Sequence, residues 1–272
     1  MDLHVHFLPH NVMAKVWAYF DGVGPLTGQA WPITYREGEA ERLARLRAMG
    51  VRAFPSLVYP HKPGMAAWLN DWAADFAGQH EDVLQTATFF PEPTAAAYVE
   101  QALADGAKIF KAHVQVGAYD PRDPLLTPVW AQLAQAQVPV VVHCGNGPMP
   151  GQFTGPEVFA DVLAQHPTLV AVIAHMGLPD YAAFLSLAQR FPHVHLDTTM
   201  AFTSWAEQHV PFPPELTESL LTLRNRIVLG SDFPNIPYPY NEQLSGLVRL
   251  DLGDDWLRAV LHDNAAELLR LS

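Results

Sequence analysis

The chain has 272 residues, of which 49 % are apolar and only 16 % charged, which permits a sizeable core and excludes a disordered chain. A formal net charge of −12 sets the surface against phosphate backbones, so nucleic acid is not an expected partner. One cysteine, Cys144, leaves no internal disulfide to form, and no apolar run approaches the roughly 18 residues a membrane span needs, so no membrane partner is expected either. The chain does not open with a basic segment followed by an apolar one, so no signal peptide is read and the cytoplasm is the expected location.

Apolar or β-branched runs at 2–7, 51–58, 83–90, 107–113, 138–143, 169–175, 193–198 and 227–231 predict strands. Segments with helical spacing lie between them at 39–49, 66–79, 94–105, 126–136, 156–165, 180–190 and 214–223, and 241–271 is also largely helical. This alternation predicts parallel strands joined by crossover helices. Eight strands in a chain of this length suit an α/β (β/α)₈ TIM barrel of about 250 residues, with an open doubly wound sheet as the alternative. No linker or internal repeat divides residues 1–272, so a single domain is expected. The stretch 8–37 reads as a long loop rich in Gly, Pro and aromatics, placed to cover the barrel mouth.

The chemistry sits at the strand ends. In His4-Val5-His6 the two imidazoles are two residues apart and share one side of a strand, where they can grip one divalent ion. Val140 to Val142 runs into His143, Val172 to Ala174 into His175, and Ile227 to Ser231 into Asp232. In a parallel barrel all these ends meet on one face. Gathering neutral imidazoles and a carboxylate there is costly unless a cation joins them. Further candidates on the same face are Lys111 and His113 on one strand, Asp197 at the end of the seventh, and Lys62 after the second. The loop Gly145 to Gly151, with Asn146, offers backbone N–H groups to an anion, and Arg122 is a candidate carboxylate clamp. Phe202 and Trp205 are candidate pocket walls, whereas His193 and His195 start a strand and read as structural.

The order His-x-His, His, His, Asp resembles the amidohydrolase superfamily. Lys111-Ala112-His113, Asp123-Pro124, Pro139 to Gly145, Ala174 to Gly177, Leu196 to Thr199, Gly230 to Pro234 and Asp263 to Leu269 are similar to its amidohydrolase-related branch, which includes aminocarboxymuconate-semialdehyde decarboxylase. The resemblance implies one divalent metal, zinc with manganese as the alternative, held by His4, His6, His143 and Asp232. It implies His175 and Asp232 as catalytic residues. By position, Lys111, His113 and Asn146 are candidate substrate contacts, and Asp197 is a candidate to orient a ligand histidine or His175, with a helix cap as the alternative. A binuclear centre bridged by carbamylated Lys111 is the alternative arrangement. The expected activity is hydrolysis of a small-molecule amide, lactone or ester by a metal-activated water, whose pKa a bound ion lowers to about 7. Non-oxidative decarboxylation of an unsaturated or aromatic carboxylate is the second reading, and a non-catalytic ligand-binding barrel the third. A homodimer is the assembly the resemblance implies.

Overall fold

The computed structural model describes residues 1–27 and 30–271. Its strands are short: β1 (Phe54–Pro55), β2 (Val83–Leu84), β3 (Thr86–Thr88), β4 (Ile109–His113), β5 (Val140–His143), β6 (Ala171–Ile173), β7 (Val194–Asp197) and β8 (Ile227–Val228). β3 to β8 pair in chain order and in parallel, and β1 pairs in parallel with β2. The expected third strand is therefore two pieces that meet at Gln85, and Pro55, with no N–H to give, keeps β1 short.

The expected first strand is reduced to one bridge, Val5 to Phe233. Its backbone still closes the ring. Leu3 N–H donates to Leu229 O (2.8 Å) and His6 N–H to Phe233 O (2.7 Å) on one side, while Leu57 N–H donates to Val5 O (2.8 Å) on the other. The closed (β/α)₈ barrel follows, and the open-sheet alternative does not apply.

Period-two alternation sorts the strand side chains into two cores. Phe110, Ala112, Val140, Val142, Ala171, Ile173, Val194 and Leu196 pack with Trp130, Phe159 and Phe184 of the surrounding helices. Ile109, Val141, Val172 and Val228 form a separate cluster with Leu3 and Leu57, met by Ala265 and Leu269 of the C-terminal helices. Those four alternate residues belong to the barrel interior. Continuing along the same faces, Lys111 lies two residues beyond Ile109, His143 two beyond Val141, and Asp197 stands at the end of β7. Apolar packing of the interior thus aims the polar strand ends at one mouth.

The structure corrects the reading of 8–37 as a loop. Most of it is a helix, α1 (His10–Thr27); residues 28–29 lie outside the described residues. Gly22, Gly24 and Pro25 weaken the helical signal locally. Burial of Met13 and Val23 supplies the tertiary packing that overrides it. The expectation that this segment covers the mouth holds in helical form, because Asn11, Val12, Lys15, Val16, Tyr19 and Phe20 wall the cavity above the strand ends. No helix among the described residues is long and apolar enough to cross a membrane.

Candidate active site

Three side chains converge at the mouth: His4, His6 and Asp232, with one potential ligand atom from each inside a 4.8 Å envelope. The tautomers follow from their neighbours. His6 Nδ1 lies 2.7 Å from Leu57 O, and a carbonyl only accepts, so that nitrogen carries the proton. His4 Nδ1 donates to Asp197 Oδ2 at 2.9 Å. In the neutral rings the His6 Nε2 lone pair is left for the centre, while that of His4 is shared with Lys111 Nζ, 3.1 Å away. His6 Nε2 faces Asp232 Oδ1 at 3.0 Å and His4 Nε2 faces it at 3.7 Å. Acceptors face acceptors at contact distance, which is repulsive unless a proton or a metal cation lies between them. Donors about 2.0–2.1 Å from a shared tetrahedral zinc lie about 3.3 Å apart, between the two observed separations. The donor set fits a divalent ion.

The surroundings favour a carboxylate beside neutral imidazoles. Burial alone pushes the Asp232 carboxyl up, but a proton placed between it and His6 Nε2, and the charged forms of His6, His4 and His175, outweigh it and leave the group below the usual carboxylate range. Asp197 behaves likewise, with the His4 field and hydrogen bond overcoming burial. Burial depresses His4 and His175 to about 4, and His113 and His143 well below their ordinary value.

A pH dependence follows. As pH falls through about 6.5 the unfolded chain protonates these four imidazoles, while the fold holds His4 and His175 neutral down to about 4. The metal-free protein therefore loses stability as pH falls across that window. Asp2, raised by burial to about 6, works the other way over part of it, one group against these four and His195, which burial also lowers to about 4. The expected loss is several kcal/mol, on the order of 10 °C in Tm between pH 7 and 4.5. Thermal melts of chelated protein at the two pH values measure it, and an unchanged Tm contradicts it.

Asp197 is wholly buried and does more than hold His4. Its Oδ1 also accepts the backbone N–H groups of His175 (2.8 Å) and Thr199 (3.1 Å). One carboxylate thus ties the first segment, the turn after β6 and the end of β7. His175 sits at φ 57°, ψ 26° and Asp232 at φ 67°. Both are left-handed conformations that non-glycine residues adopt at a cost, as often happens where a site dictates the backbone.

Gly230 was not a sequence candidate, yet the site depends on it. A Cβ there would lie 2.2 Å from Thr199 Oγ1, 2.8 Å from His4 Cβ and 3.1 Å from Asp197 Cγ. A glycine just before the strand-end Ser231-Asp232 was the available signal. Gly230→Ala is expected to destabilise the fold by about 1–3 kcal/mol and to lower metal affinity by displacing His4. Melting and metal titration of the variant check both; wild-type values in both would contradict it.

The other candidates separate. Lys111 does not reach the cavity: it is fully buried, with Nζ donating to His4 Nε2 at 3.1 Å, and burial lowers its pKa to about 8. His143 stands outside the three-residue group. Its Nε2 is 3.0 Å from Gly147 O, and its ring stacks on His113 at 4.1 Å. His113 Nδ1 accepts Val116 N–H at 3.3 Å, which places its proton on Nε2. The His175 ring lies 5.1 Å from that of His4 and 4.8 Å from that of His143, and it lines the cavity. Asn146 also lines the cavity, but its amide is engaged by Asp180 and Thr154. The backbone N–H groups of Gly147 and Gly151 are likewise taken, by Leu178 O and Thr154 Oγ1, so neither is left for an anion. Arg122 is bound to Asp120 and Asp161 away from the cavity, which removes it as a clamp. Phe202 is core, packed on Phe212, whereas Trp205 is a cavity wall. Tyr59, unassigned by the sequence reading, packs between His6 (5.3 Å) and His113 (4.9 Å).

All of these cavity residues surround a space of about 1140 Å³ above the three-residue group. Comparison with known proteins agrees with this architecture. The Amidohydrolase family matches residues 1–271. The chain belongs to the amidohydrolase family. An uncharacterized TIM-barrel protein of Bordetella bronchiseptica superposes with a TM-score of 0.76 at 19 % identity, covering 99 % of this chain and 98 % of that one. A 2,6-dihydroxybenzoate decarboxylase from Rhizobium gives 0.67 at 17 % identity, covering 100 % and 99 %. A probable 2-pyrone-4,6-dicarboxylic acid hydrolase from Acinetobacter baumannii gives 0.64 at 14 %, covering 99 % and 98 %. At these identities the shared property is the fold. No curated protein sequence matches the chain.

Proposed function

We propose that this amidohydrolase-family chain is a metal-dependent hydrolase of a small-molecule amide, lactone or ester, with one divalent ion held by His4, His6 and Asp232. The observation that carries the reading is the His6 Nε2–Asp232 Oδ1 approach of 3.0 Å, with the His6 Nδ1 proton committed to Leu57 O. Two nitrogens and one oxygen make a zinc-type donor set, and manganese is the alternative. His143 is the candidate fourth ligand, through Nδ1, because Nε2–H is spent on Gly147 O.

A divalent ion bound there supplies Lewis acidity and a water acidified toward pH 7. Asp232, ionised and at the centre, accepts a proton through the oxygen turned away from His6 and carries it toward the leaving group. His175, neutral at pH 7, presents a ring N–H to developing negative charge. His113 offers a second donor through Nε2–H from the end of β4. Asp197 orients His4 and fixes the His175 backbone, and so acts through them.

A second reading, non-oxidative decarboxylation of an aromatic carboxylate, is favoured by the walls, since Tyr59, Trp31 and Trp205 are among the aromatic side chains that line the cavity. Two structural neighbours, a 2,6-dihydroxybenzoate decarboxylase and a 5-carboxyvanillate decarboxylase, carry that chemistry in their names. The cavity has no arginine among its described lining residues, which speaks against a doubly charged substrate such as a pyrone dicarboxylate. Zinc-loaded protein assayed against amides, esters, lactones and aromatic acids, with trapping of released CO₂, separates the readings. Hydrolysis products without CO₂ support the first, and CO₂ alone supports the second. Ligand-induced stabilisation with no turnover in any class would leave only a binding role.

A further inference from the structure

The cavity is larger and greasier than one small polar substrate requires, and its charge is distributed unevenly. At about 1140 Å³ it exceeds the roughly 300–1,000 Å³ that encloses a drug-sized ligand. Its floor is the buried His4 and His6 with the part-buried Asp232; its mouth carries Tyr19 and Trp68, which are 50 % and 44 % exposed. Large apolar groups left half exposed around a single opening mark a surface meant to be covered.

The chain has only four lysines: Lys15, Lys62, Lys108 and Lys111. Lys15 on α1 and Lys62 beyond β1 both line this cavity, and neither has an ion-pair partner among the described residues. The carboxylates of the lining are Asp232, at the floor, and Asp180, which accepts from the Asn146 amide. In a protein of net charge −12, two cations that line one cavity without an ion-pair partner among the described residues favour an anionic ligand there. Both are ammonium groups on flexible stems, which attract an anion without imposing the planar fork of an arginine.

We infer that the substrate is a bulky apolar monocarboxylate, held with its reacting group at the His4–His6–Asp232 floor, its hydrophobic body along Trp31, Trp205 and Phe20, and its carboxylate at the mouth beside Lys15 and Lys62. The inference rests on the catalytic reading of this cavity and extends it to the size, polarity and orientation of the ligand. The carboxylate lies distal to the reaction, so it is a recognition group rather than the group transformed. A body long enough to join the two ends displaces water from the aromatic walls, and each added methylene contributes about 0.8 kcal/mol, or about fourfold in affinity.

Isothermal titration calorimetry on the full chain, with and without zinc, tests this using phenylacetate, 4-phenylbutyrate, 6-phenylhexanoate and 8-phenyloctanoate and their neutral primary amides. The expected result is a rise in affinity of about fourfold per methylene until the mouth is reached. Carboxylates should exceed the matched amides by about tenfold, a difference lost in the Lys15→Gln/Lys62→Gln double variant with amide binding retained. Affinity flat across the series overturns the bulky body. A carboxylate advantage that needs zinc and survives the double variant overturns the distal anion, because the head group would then sit at the floor. Binding as expected in a protein that turns over no tested substrate would instead strike the catalytic reading and leave this assignment of the cavity intact.

Discussion

His6→Ala is expected to strip bound zinc and activity together, whereas His175→Ala keeps the zinc and loses activity. His6 contributes one of three converging donor atoms, and its ring is held in place by Leu57 O. Losing one donor of three should weaken binding by more than the 10–100-fold typical of removing a supporting contact. His4→Ala should behave as His6→Ala does. His175 has its ring on the cavity side and its backbone tied to Asp197, so deleting the imidazole leaves the donor triangle standing. The loss then falls on turnover, about 10²–10⁴-fold for a positioned proton donor. Elemental analysis beside turnover in the three variants checks this, and equal metal loss in all of them contradicts the division of roles.

Asp197→Asn should be nearly as damaging, although Asp197 touches neither ion nor substrate. The carboxylate accepts His4 Nδ1–H at 2.9 Å and two backbone N–H groups in a fully buried position. An amide keeps the shape but can turn only one acceptor oxygen toward these three donors. With its oxygen kept on the backbone groups, its NH₂ faces His4 and favours the tautomer protonated on Nε2. That proton would point at Asp232 and remove a lone pair from the centre, so metal affinity should drop at least 10–100-fold. Asp197→Ala leaves all three donors without a partner and should cost about 3–5 kcal/mol of stability. Zinc affinity of Asp197→Asn and the Tm of both variants decide the matter. Wild-type zinc affinity in Asp197→Asn would show that His4 needs no orientation.

The two variants probe different parts of one design. The triangle of donors is set by strand ends, and the carboxylate beneath it sets which nitrogen of His4 is free. Gly230 completes that arrangement by allowing the backbone just after β8 to approach His4 and Asp197 more closely than any side chain would permit. Lys111 occupies the remaining direction at His4 Nε2, so a cation and this ammonium compete for the same lone pair.

Much of this was determined by the sequence alone. Period-two apolar runs place Val141 and His143, or Ile109 and Lys111, on one face, and parallel strands then send the polar ends to one mouth; local spacing and one topological rule suffice. The pairing of His4 and His6 with Asp232, more than two hundred positions away, was legible for that reason. Tertiary structure alone decided the rest. Helix α1 forms across a glycine- and proline-bearing stretch because burying Met13 and Val23 outweighs weak local propensity. Whether Lys111 faces substrate or His4, whether Asn146 is free or bound to Asp180, and how His143 spends its Nε2 proton depend on which atoms arrive within about 3 Å. Residue type and spacing say which groups share a face; hydrogen-bond partners from distant strands say which of their atoms remain available for chemistry.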